Sequence, residues 1–177
     1  MLEELKRSGL SKNTLVILTS DHGEEFKDHG SFFHGNSLYD ELLHIPLIIR
    51  LPGAITKSKI ISNLVRHIDI MPTILDILDI HSDNIMQGVS LMPLIEGRNS
   101  PKLDSFCEGY RRENIDIKGI RTDKWKFIEN YDLRAETQSY ELYDLETDPK
   151  ELNNLVEEKP KEVEQLKTRV RDYTLSC

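Results

Sequence analysis

The chain has 177 residues, 38% of them hydrophobic and 31% charged, which is the length of one domain and enough apolar content for a sizeable core. Its 31 acidic residues against 23 basic ones leave a formal charge of -8, and the Lys and Arg residues are dispersed, so nucleic acid is excluded as a partner. No apolar run approaches a membrane span and Met1 opens on a charged helical segment with no signal peptide, so the sequence as given reads as cytoplasmic.

Leu2 and Leu5 fall at helical spacing and Gly9 stops them, which describes the end of a helix. Leu15 to Leu18 is a continuous apolar run, β-branched at two positions, and predicts a strand buried on both faces of a parallel sheet. Ser37 to Leu43 is a brief helical or irregular stretch, and Pro46 to Leu51 a second buried strand closed by the Pro52-Gly53 turn. Asp69 is placed to cap a helix that tolerates Pro72 in its first turn and buries Ile70, Ile74, Ile77 and Leu78. Ser90 to Ile95 repeats this on a smaller scale with Gly97 as its stop, and the polar run from His81 to Gln87 is an exposed loop.

From about Ser100 the pattern changes to short strands at Asp104 to Tyr110, Ile117 to Thr122 and Trp125 to Glu129, with Tyr140 to Asp144 as a fourth. An Asp123-Lys124 turn joins the second to the third. Thr147-Asp148-Pro149 starts a helical turn that ends near Asn154, and Pro160 opens a final helix whose Val163, Leu166 and Val170 cover one face of the small antiparallel sheet. Trp125, Phe127 and Tyr143 alternate with polar residues and pack within that sheet. Cys107 and Cys177 build no disulfide framework and read as free thiols.

The chemistry-bearing residues cluster where the first strand ends, in Asp21-His22-Gly23, with further His-Gly pairs at His29-Gly30 and His34-Gly35. Packing offers no reason for three imidazoles in so short a loop. Ligands of open α/β sheets sit beyond the carboxyl ends of strands, so Asp21 is the strongest metal-ligand candidate, with a helix or turn cap as the rival reading that the resemblance below disfavours, and Gly23 lets the backbone turn away. His29 is a weaker candidate. His44 and His67 flank apolar runs and read as structural, and His81 as solvated.

The run Thr14-Leu15-Val16-Ile17-Leu18-Thr19-Ser20-Asp21-His22-Gly23-Glu24-Glu25, then Asp28-His29-Gly30, His34-Gly35-Asn36-Ser37-Leu38-Tyr39-Asp40-Glu41 and His44-Ile45-Pro46-Leu47-Ile48-Ile49-Arg50, resembles the second half of a sulfatase of the alkaline phosphatase superfamily. Val65 to Leu75, Gly88 to Leu91, Lys118 to Ile128 and Glu141 to Leu155 continue the likeness to the end of the chain. It implies an α/β fold, the C-terminal portion of an alkaline-phosphatase-like sandwich: residues 1–99 as the second part of the catalytic domain, and 100–177 as a subdomain with a small antiparallel sheet and terminal helix. It also implies His22 beside Asp21 in a divalent-metal site, calcium foremost, with manganese and zinc open because imidazole suits them better, and magnesium not excluded. His34 falls where many sulfatases place a sulfate-contacting Lys, and would neutralise a sulfate oxygen or protonate the leaving oxygen.

The family's nucleophile is a formylglycine made within a Cys/Ser-x-Pro/Ala-x-Arg motif that this sequence does not contain, and the early Asp pair of the metal site is also missing. Cys107-Glu108-Gly109-Tyr110-Arg111 has the Cys-to-Arg spacing but Gly for Pro, and reads as coincidence. The resemblance therefore implies a sulfate-ester hydrolase piece that needs an N-terminal half as partner and is inactive alone. Alternatives are a piece of a phosphatase, phosphodiesterase or phosphoethanolamine transferase of the superfamily, or a non-catalytic subunit or remnant. Two interior parallel strands lacking neighbours would also leave the chain alone oligomeric or aggregation-prone.

Overall fold

Residues 1–35, 37–111 and 114–176 are described by the computed structural model, so Asn36 and Cys177, both named above, lie outside the described residues. The elements run α1 (Leu2–Arg7), β1 (Val16–Thr19), β2 (Glu25–Phe26), β3 (Phe32–Phe33), α2 (Asp40–Leu43), β4 (Leu47–Arg50), α3 (Ile70–Ile77) and α4 (Met92–Glu96). Then come β5 (Ser105–Arg111), β6 (Ile115–Arg121), β7 (Trp125–Asp132), β8 (Thr137–Asp144) and α5 (Pro160–Ser176). The chain divides into two compact units, Met1–Ser20 with Pro46–Lys102 and Asp21–Ile45 with Leu103–Cys177.

In the first unit β1 pairs with β4, and the pairing is antiparallel, Val16 opposite Arg50 and Thr19 opposite Leu47. The expected parallel sheet is thus corrected: an apolar run specifies a strand with apolar neighbours but carries no information on direction. Nor are the strands buried on both faces, since Leu18 is 49% and Ile48 58% exposed. Asp69 stands at the start of α3 as expected, yet its side chain caps something else. Its Oδ2 accepts the Arg66 backbone N–H at 2.8 Å, while Oδ1 accepts the Arg66 guanidinium at 2.8 Å and the Val89 N–H at 2.9 Å. The Thr73 hydroxyl, one turn on, donates to the Asp69 carbonyl at 2.6 Å and accepts the Leu91 N–H at 2.9 Å. The buried stripe of α3 is therefore Asp69, Pro72 and Thr73; Ile70, Ile74 and Ile77 are half-buried and Leu78 is exposed. Polar groups win the inner face because each finds its partners there, which removes the cost of burying them.

The second unit is built on the four-stranded antiparallel sheet β5-β6-β7-β8. The expected β6–β7 turn is present, with the Thr122 N–H donating to the Trp125 carbonyl at 2.8 Å. Val163, Leu166 and Val170 of α5 pack on Ile120, Phe127 and Leu142, each 7% exposed or less, and each such side chain contributes roughly 1.5–3 kcal/mol of burial. Across the sheet Ile117, Ile128 and Tyr143 bury against Leu38, which comes from the segment carrying the His-Gly pairs. Residues 147–154 form turns and no helix, and the Asn154 side-chain oxygen accepts the Leu142 N–H at 3.0 Å instead. Among the described residues no helix is long and apolar enough to cross a membrane.

Candidate functional site

Asp21 and His22 follow β1 directly, and their side chains are 88% and 41% exposed. Asp21 Oδ1 accepts the His22 N–H at 3.0 Å. His22 Nδ1 lies 2.6 Å from the Gly23 carbonyl, and a carbonyl has no proton to give, so Nδ1 carries a ring proton. The other ring nitrogen, Nε2, is 3.7 Å from Asp21 Oδ2. A ring oriented by a carbonyl behind it, with the other nitrogen beside a carboxylate, is the arrangement a metal-binding histidine takes.

Gly23 is needed for close approach, and φ is not the reason, which corrects the expectation of a glycine-only turn: a Cβ there would lie 1.9 Å from the Glu41 carbonyl oxygen. Its N–H donates to the Leu42 carbonyl at 2.8 Å, tying the Asp21–His22 corner to α2. Gly23→Ala is expected to force this contact apart and cost about 1–3 kcal/mol, read as a lowered urea midpoint. An unchanged midpoint would show that the contact is soft.

Two-residue strands β2 and β3 form a hairpin that returns the chain to His34. Glu25, the first residue of β2, is 1% exposed and accepts the Ser37 hydroxyl, whereas Glu24 just before it turns to His34, whose Nδ1 is 3.3 Å from both of its carboxylate oxygens. Phe33, immediately before His34, holds φ at 74, a region non-glycine residues rarely enter. The His34 and His22 rings lie 4.2 Å apart, so the structure brings together Asp21, His22, His34 and Glu24. Among the described residues no group of three or more His, Cys, Asp or Glu has metal-holding geometry, so the donor set fits a divalent ion only as part of a shell.

The remaining candidates lie elsewhere. His29 is largely buried against Glu41 and Glu151. His67 Nε2 is 2.8 Å from the Ser20 carbonyl, His44 is exposed at the end of α2, and His81 is 92% exposed beside Asp83. Cys107 sits within β5, its thiol pushed up to about 11 by burial, which makes it inert. Sequence reasoning missed the ion cluster beneath the loop. Lys126, 0% exposed, places Nζ 2.6 Å from Asp40 Oδ1 and 3.2 Å from Glu151 Oε1, and Arg121 lies 3.1 Å from Asp40. The one available signal was a Lys inside the apolar run Trp125–Ile128.

Against known families, residues 27–175 match the model described as N-sulphoglucosamine sulphohydrolase, C-terminal. The chain belongs to this sulfatase family. A curated N-acetylglucosamine-6-O-sulfatase of Bacteroides thetaiotaomicron is 32% identical over 163 residues, covering 88% of this chain and 28% of that protein. Arylsulfatase K of Gallus gallus is 32% identical over 94% of this chain and 32% of its own length. The chain thus spans about a third of the length of these curated sulfatases. Among solved structures, one in complex with its substrate D-glucosamine-2-N,6-O-disulfate superposes with a TM-score of 0.83 at 30% identity, over 97% of this chain and 36% of that one. The phosphonate monoester hydrolase of Agrobacterium radiobacter follows the same fold at a TM-score of 0.81 and 25% identity, over 98% and 37%. The expected sulfatase C-terminal region, with its antiparallel sheet and terminal helix, is what the matches describe.

Proposed function

We propose that this chain supplies half of the divalent-metal site and one substrate contact of a sulfuric ester hydrolase, the rest of the shell and the nucleophile coming from an N-terminal half. The observation that carries this is the His22 geometry, with Nδ1 engaged by the Gly23 carbonyl and Nε2 3.7 Å from the Asp21 carboxylate. Asp21 and His22 hold the ion, calcium first, with manganese, magnesium and zinc also compatible with an oxygen and an imidazole. The ion supplies Lewis-acid polarisation of a sulfate oxygen. His34 binds the ester's oxygens: with Nδ1 fixed by Glu24, Nε2–H of the imidazolium is free to donate to a sulfate oxygen or to the leaving oxygen. A phosphorus-ester substrate is the second reading, favoured by the likeness to a phosphonate monoester hydrolase.

Two protein ligands are far short of the six to eight oxygens calcium takes, so the chain alone is expected to bind metal weakly. Calorimetric titration should show no submicromolar calcium site. Manganese should broaden the NMR signals of Asp21, His22 and His34 selectively, and Asp21→Asn should abolish the broadening. Broadening centred elsewhere, or unchanged in the variant, would refute the assignment.

A further inference from the structure

We propose that His29 acts as an imidazolium clip, a positioning residue that holds the segment carrying Asp21, His22 and His34 onto the C-terminal sheet. Its Nδ1 lies 2.5 Å from Glu41 Oε1 in α2, and its Nε2 lies 3.0 Å from the Glu151 carbonyl, 122 residues away. A peptide carbonyl and a carboxylate both accept, and a neutral imidazole has one N–H, so both contacts are hydrogen bonds only when the ring carries two protons. The Tyr39 ring stacks on the imidazole at 3.7 Å, a favourable face for a cation, and its own hydroxyl donates to Glu141 at 2.7 Å.

Charge balance points the same way. The carboxyls around the clip are Asp40, Glu41 and Glu151; the cations are Lys126 and Arg121, and with all three carboxyls ionised a charged His29 equalises them. Burial raises the Glu151 pKa, and the Lys126 charge and the Asp40 N–H work against it to keep the carboxylate. Glu141, next outward, accepts from neutral donors on Tyr39, Tyr143 and Asn130. Burial works against a charged ring, but the Glu41 bond, the Glu151 carbonyl and the charges of both residues outweigh it and raise the His29 pKa. A raised folded-state value contributes stability that is fully present below the unfolded value of about 6.5 and is lost as pH rises through the folded one. The clip is therefore closed in acid and opens toward alkaline pH.

The proposal depends on the site reading only for what the clipped segment carries, and its test needs neither metal nor turnover. Long-range proton–nitrogen NMR of the full chain should show both His29 nitrogens protonated at pH 7, with a midpoint above the ordinary histidine value of about 6.5. Amide protection factors in residues 21–45, each rate divided by its intrinsic base-catalysed rate at the same pH, should fall by about tenfold or more as His29 loses its proton, the expected loss for one charge-assisted bond, while those of β5 to β8 hold. Glu41→Gln should bring the midpoint down to or below the ordinary histidine value of about 6.5 and leave those protection factors independent of pH. The wild-type titration decides even if the variant does not fold: a single-tautomer neutral His29 at pH 7, or protection in 21–45 indifferent to its titration, overturns the clip. Failure of manganese to bind near Asp21 would leave these results standing, so the two readings fail separately.

Discussion

Incubated alone with a chromogenic aryl sulfate and calcium, magnesium or manganese, the 177-residue chain is expected to give no turnover. Its one thiol among the described residues is half-buried within a strand with its pKa raised, and Asp21 and His22 alone do not complete a metal shell. Co-expressed with an N-terminal sulfatase half, it should yield activity that falls by about 10²–10³ in Asp21→Ala, the scale of losing one group that stabilises charge in the transition state. His34→Ala should fall less, and His34→Lys should recover part of the loss by restoring a cation. Turnover by the chain alone that disappears in Asp21→Ala would sink the shared-site reading.

Removing the Lys126 ammonium is the most damaging single change expected for stability. Lys126→Ala takes from Glu151 the cation at 3.2 Å and leaves Asp40 with Arg121 alone, and breaking a buried ion pair from one side costs about 3–5 kcal/mol. Burial alone would raise the Asp40 carboxyl, but the Lys126 charge and the Arg121 and Lys126 hydrogen bonds hold it below the ordinary range. A depressed carboxylate stabilises above its unfolded value and loses that contribution as pH falls through the folded one. In Lys126→Ala, then, the deficit should be large at pH 7 and shrink toward pH 4 as the buried carboxyls take up protons, Glu151 first, because burial already raises its pKa and Lys126 no longer opposes it. Urea unfolding at the two pH values measures both quantities; a loss below about 1 kcal/mol at pH 7 would mean water reaches the carboxylates.

The parts legible in the sequence are those written in local periodicity. Val163, Leu166 and Val170 recur on one face of α5, and the strands β5 to β8 lie within a few residues of their expected bounds. Asp21 and His22 could be placed together because they are adjacent. What escaped depends on distant residues. Lys126 alternates with Trp125 and Phe127 as an outward residue would, yet it is buried because the second face of the sheet is covered by Leu38, Tyr39 and Leu43. The β2–β3 hairpin has strands too short for any period, and the direction of β1 against β4 is not encoded in either apolar run.

The bonds that fix α2 reach far along the chain: Asp40 meets Arg121 across 81 residues and Lys126 across 86, and its N–H donates to Glu151 across 111. During synthesis the Asp21–His34 loop emerges first, but its anchors do not exist until residue 151 has left the ribosome and β5 to β8 have closed. Closing such long loops is entropically costly and slow compared with forming the local hairpins. The loop should therefore acquire its order last, and a nascent chain stalled before Glu151 would carry every candidate ligand of the site with none of them set in place.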